Sequence, residues 1–196
     1  MRRLLILVVI AGAAVSTLLA RPLDDHAHRV SDEFWSQTLL RANGGEFASL
    51  EELVEQADWV VEGHVVGVAP GRVLREGDVP FAWFANVTFE TTRTLSGSEK
   101  PSFVLEVLFT SERRLGSFLT AALPTEAAIA AIVVKADDPD PGTGVPYLRL
   151  ANQAQSLYRN IDGVVHLTIP EDAGFARAWA GIPFETFAAS IAAIER

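Results

Sequence analysis

Residues 81–95 read FAWFANVTFETTRTL. Phe81, Trp83, Ala85, Val87 and Phe89 recur at every second position, and Asn86, Thr88, Glu90 and Thr92 fill the alternate ones. Successive side chains of a strand point to opposite faces, so the pattern predicts a strand with one buried and one wet face. Phe84 falls out of phase, on the side of Asn86 and Thr88. It is expected either as an exposed aromatic on a binding face or beneath the C-terminal helix. Ser96-Gly97-Ser98 turns the chain, and Phe103–Thr110 repeats the alternation with Phe103, Leu105, Val107 and Phe109 inward. Upstream, Trp59–Ala69 is rich in valine and interrupted by Gly63 and Gly67, which inside a strand pattern signal a bulge or bend. Pro70-Gly71 is the expected turn.

Outward from these three strands the signals alternate more loosely. Residues 111–126 read as a long polar connection holding Arg113, Arg114 and Gly116. Ala128–Lys135 is a fourth strand whose alanines also suit a helix. Asp137–Gly144 is a Pro/Gly/Asp turn cluster, and Tyr147–Tyr158 and Val164–Ile169 are the last strands. Ser49 and Glu52 form a capping box, with Leu50, Leu53, Val54 and Ala57 on one face of a helix over 50–57. A helix over 31–41 would start at Ser31 as N-cap and stop at Asn43-Gly44-Gly45. Phe184, Phe187, Ala188, Ile191 and Ala192 give helical spacing to 183–194, and 171–180 is irregular or one short helix. Strands that follow one another without helices between them predict a mainly β, α+β domain. The expected architecture is a small antiparallel OB-like barrel of five to six strands between an N-terminal and a C-terminal helix. A β-sandwich is the alternative.

The first twenty residues, MRRLLILVVIAGAAVSTLLA, place Arg2 and Arg3 before an uncharged apolar run from Leu4 to Ala20. That is the layout of an export signal. The run is also close to the length that spans a bilayer, so it reads as a cleaved signal or a retained N-terminal anchor. Either way the body is expected outside the cytoplasm, secreted or attached to the plasma membrane by residues 4–20. Residues 21–30, RPLDDHAHRV, read as a tether, and 31–196 as one globular domain.

Composition narrows the function. The chain carries 16 basic and 25 acidic residues. Without Arg2 and Arg3 the balance is 14 against 25, a body of −11 that repels phosphate backbones and is not drawn to anionic lipid either. Nucleic acid is therefore excluded as a partner, and the membrane enters only through the N-terminal segment. With no cysteine, the exported domain has neither a disulfide nor a thiol nucleophile. Arginine outnumbers lysine 14 to 2, a bacterial coding bias that leaves Asn86-Val87-Thr88 without meaning as a glycosylation acceptor.

In SLEELVEQADWVVEGHVVG, residues 49–67, a short helix leads into Ala57, Asp58, Val60, Val61, Gly63 and Val65. A later strand ends at Thr94, Leu95, Ser96 and Gly97. This pattern resembles exported bacterial proteins similar to the netrin/TIMP-like module. The resemblance covers residues 49–169 and implies an OB-type barrel and an extracytoplasmic location. The zinc-binding N-terminal cysteine of that superfamily's metalloprotease inhibitors has no counterpart here, so their activity does not carry over.

Few residues suggest chemistry. His26 and His28, after Asp24-Asp25, are the one metal-like cluster, and they lie in the tether. Asp137, Asp138 and Asp140 fail the calcium-loop template, because position twelve from Asp138 is Arg149. His64 and His166 fall in strands without a hydrolase motif around them. Arg113-Arg114 reads as a solvated pair. No catalytic residue, cofactor or metal is assigned. The expected function is a non-catalytic binding or interaction module of the bacterial cell envelope, for a protein or small-molecule partner. An extracytoplasmic hydrolase using His64 or His166 with a carboxylate is the alternative.

Overall fold

The computed structural model describes residues 29–38, 46–140, 143–152, 154–169 and 173–194. It is mainly β. A helix over residues 29–36 (α1) is followed by α2 (Leu50–Gln56), β1 (Trp59–Glu76), β2 (Val79–Ser96) and β3 (Ser102–Phe109). Then come α3 (Glu112–Leu119), β4 (Ala128–Pro139), β5 (Pro146–Leu150), β6 (Leu157–Ile161), β7 (Val164–Leu167), a 3-10 helix (Gly174–Trp179) and α4 (Phe184–Ala192). The seven strands among the described residues form one sheet in the order β1-β2-β3-β5-β4-β6-β7, with β1 also paired to β4. β3 and β5 run parallel and the other pairs antiparallel, so the sheet is mixed where an antiparallel one is expected.

The longest departure from the sequence reading is in β1. Pro70-Gly71 does not turn the chain. The strand runs on to Glu76, and the ladder with β2 slips between Pro70 and Val73, where Gly71 and Arg72 together stand against Phe84 in a bulge of one extra residue. The turn comes at Gly77-Asp78, between the paired Glu76 and Val79, and Gly77 takes the positive φ of 59° that a tight hairpin demands. Phe81, near that tip, is exposed, contrary to its place in the alternation. From Ala85 to Phe89 the alternation holds, with Ala85, Val87 and Phe89 buried.

Residues 112–119, expected as part of an open connection, form α3. Ser111 caps it, accepting from Arg114 N at 3.3 Å, and Leu115 and Phe118 turn into the core. The strand expected over 147–158 is two strands, β5 and β6, separated by a loop in which the Asn152 side chain accepts from Ala154 N and Gln155 N. The helical part of α1 already includes residues 29 and 30, inside the segment read as tether. Ser31 therefore lies within the helix and is not its N-cap. Residues 21–28 and the leader lie outside the described residues.

Two apolar cores share one wall. Val61, Val65, Ala128, Ala130 and Ile132 face a core made by β1–β5, α1 and α3. Val60, Ile129 and Ala131 face a second core with α2, α4, β6 and β7. Burial on both faces explains the near-continuous apolar run of β4, AIAAIVV, which shows no alternation. Half of the capping box on α2 is formed as its spacing predicts, with Ser49 Oγ accepting from Glu52 N at 3.2 Å; the Glu52 carboxylate reaches one residue past the cap and accepts from Ala48 N at 2.6 Å. Ser49→Ala should cost about 1 kcal/mol, read as a lower urea midpoint with an unchanged slope.

Candidate functional site

The best-organised polar cluster grows from the β1 bulge. The bulge carries Arg72 across the outer side of the sheet, over Phe84 of β2, toward Glu106 of β3 and the end of β4. Glu106 sits in the apolar strand SFVLEVLF and its carboxylate is almost fully buried. Arg72 donates from Nε to Glu106 Oε1 at 2.7 Å and from Nη2 to Oε2 at 3.1 Å. Its other edge donates to Asp138, with Nη1 to Oδ1 at 2.8 Å and Nη2 to Oδ2. Arg149 of β5 closes the figure. Its Nη2 lies 2.6 Å from Glu106 Oε2 and 2.9 Å from Asp138 Oδ2. Tyr147 stacks on Arg72, 3.9 Å from ring centre to guanidinium carbon, and its phenol donates to Asp140 Oδ2 at 2.6 Å.

At its centre two guanidiniums face two carboxylates, and Asp140, held by Tyr147, adds a third carboxylate at the edge. Both oxygens of Glu106 and of Asp138 accept from arginine. The cluster ties the β1–β2 arm to β3 and to the β4–β5 hairpin.

Titration of the cluster is predictable in sign. The hydrogen bond from Arg72 holds the Asp138 carboxyl down at about 2, against an ordinary 3.8. The stabilisation is complete above the ordinary value and is lost as pH falls through about 2. Tyr147, donating to Asp140, is pushed up to about 12 from 10. Its contribution is complete below pH 10 and is lost as pH rises through 12. Asp138→Asn should flatten the acid limb of a stability–pH curve, and Tyr147→Phe the alkaline limb, each followed by urea unfolding.

The residues singled out in the sequence fall elsewhere. Phe84 is buried beneath the guanidiniums of Arg72 and Arg149, at 4.8 and 5.3 Å. These guanidiniums cover it, whereas the sequence suggested solvent or the C-terminal helix. Asp138 and Asp140 turn to different partners: Asp138 to the arginines, Asp140 to Tyr147 and Thr143. Asp137 belongs to β4, not to a turn. Among the described residues no group of three or more metal-ligating side chains comes together. His26 and His28 lie outside the described residues. His64 on β1 is half-buried and opposite Glu90, with no hydrogen bond or ion pair between them among the described residues. His166 on β7 stands opposite Arg159, and β4 and β6 separate its strand from that of His64. Arg113 and Arg114 are exposed on α3, at a groove between α3 and α1.

No family model, curated protein or solved structure matches the chain.

The cluster was hidden from sequence reading by separation. Arg72 lies 34 residues from Glu106 and 66 from Asp138. Two signals were nonetheless present: a lone glutamate in an otherwise apolar strand, and an aromatic out of phase in the neighbouring one. Asn86↔Glu106 and Phe84↔Leu108 are register pairs, so those two anomalies sit on one face.

Proposed function

We propose that the chain is an exported or membrane-anchored, non-catalytic binding module of the cell envelope, built on an OB-like barrel. The barrel reading is supported by pairing that returns on itself, β1-β2-β3-β5-β4-β1, and by α3 between β3 and β4. It agrees with the netrin/TIMP-like resemblance of residues 49–169. The export reading rests on Arg2, Arg3 and the apolar run 4–20. Among the described residues no helix is long and apolar enough to cross a membrane, and those twenty residues are not among them.

One observation carries the binding reading. Among the described residues the exposed large apolar side chains are Val66, Val73, Val79, Phe81, Val104 and Val145. All lie on β1, β2, β3 or the β4–β5 loop, none on β6, β7 or a helix. In the OB architecture the strand 2–3 face and the loops 1–2 and 4–5 take the ligand. Apolar groups left in water on these strands and this loop suit a partner with its own apolar surface.

Photo-crosslinking in intact cells tests this. A benzophenone amino acid at Phe81 or Val104 should give one discrete adduct, and the same probe at Glu55 on α2 should give none. Equal labelling at all three positions, or none at any, overturns the reading. His64→Ala should leave the adduct unchanged.

A further inference from the structure

The point at which the chain enters the folded body is fixed. Ser31, Phe34, Trp35 and Thr38 of the first helical segment are buried, and the Phe34 ring lies 4.6 Å from that of Phe118 on α3. Arg159 of β6, itself buried, donates from Nη1 to Ser31 Oγ at 2.8 Å and to Asp32 Oδ1 at 2.7 Å. Only residues 21–28 separate this docked helix from the apolar run that ends at Ala20. Eight residues span at most about 29 Å when fully extended. A body of this size is about 40 Å across. A tether shorter than the body decides which side is held at the bilayer, and that side bears α1.

Beside α1, the groove against α3 is lined among others by Glu33, Ser36, Ser117, Thr120, Arg113 and Arg114. Arg72, Arg93, Arg149 and Arg159 are each engaged by a carboxylate. Arg113 and Arg114 have no ion-pair partner among the described residues and point their charge into solvent. Guanidinium matches phosphate oxygens in geometry as well as charge.

We propose that in the anchored protein this groove rests on the bilayer, and that Arg113 and Arg114 bind the phosphates of anionic lipid headgroups. The inference rests on residues 4–20 being retained as an anchor. The acidic body opposes it, and the tether offsets that repulsion. The tether supplies an effective concentration near millimolar, so the lipid has to orient the body, not recruit it. A body negative overall with an arginine pair beside its tether turns that pair toward a negative surface.

The chain has no cysteine, so single labels are clean. Full-length protein carrying a fluorophore at Ser117→Cys on α3, or at Thr186→Cys on α4 in the other core, is placed in nanodiscs. The discs hold phosphatidylglycerol with phosphatidylcholine, or phosphatidylcholine alone. A quencher fixed at headgroup depth should reach Ser117 in preference to Thr186 in the anionic discs. Arg113→Gln and Arg114→Gln should each lower that preference about fivefold. Equal quenching of the two labels in chains that still float with the discs overturns the groove proposal alone, as does a preference the arginine variants leave intact. Chains that do not float with the discs overturn the anchor and the groove together.

Discussion

Glu106→Gln should destabilise the fold by about 3–5 kcal/mol, the penalty for breaking a buried ion pair from one side. Total stability of a domain is only about 5–15 kcal/mol, so the variant should unfold at far lower urea. The carboxylate is almost fully buried, and every hydrogen bond it accepts comes from Arg72 or Arg149. The amide keeps the volume but leaves two guanidiniums facing a single charge on Asp138. A matched set tests the cause. Glu106→Leu combined with Arg149→Met should cost less than the two single changes added together, because the uncompensated charge is removed with its partner. Costs that simply add would mean the cluster acts through packing alone.

Gly63→Ala should be nearly as damaging, about 3 kcal/mol or more, because overpacking here meets backbone that has nowhere to go. A Cβ at Gly63 would lie 2.0 Å from the Glu90 carbonyl oxygen and 2.8 Å from the Phe89 ring. The neighbour across the ladder is main chain of β2, locked by its pairing to β3. The contrast is Gly116, inside α3 with nothing near the position a Cβ would take. Gly116→Ala should stabilise by about 0.5–1 kcal/mol. Thermal unfolding of the two variants side by side gives opposite signs, and a shared sign would contradict the packing described for β1.

Where local chemistry decides the structure, the sequence is legible. Ser49 and Glu52 start α2 through side chains three residues apart, and Phe187 and Ile191 put α4 into the core through helical spacing. Where long-range packing decides, it is not. Pro70-Gly71 has the composition of a turn, yet β2 holds those residues in a bulged strand, and a Cβ on Gly71 would crowd the Phe84 carbonyl. The α3 segment ERRLGSFL offers three large apolar residues in a polar run, too few to announce a helix that Phe34 and Phe109 select through Phe118. The polar cluster is least legible of all, since four strands contribute to it and none reveals its neighbours.

Residues 128–132 give alternate side chains to two cores. Neither half can melt while the other stays solid, because each would strip the backing from the same five residues. Calorimetry should therefore register one heat-absorption peak, and the amide protons slowest to exchange with deuterium should be those of this segment.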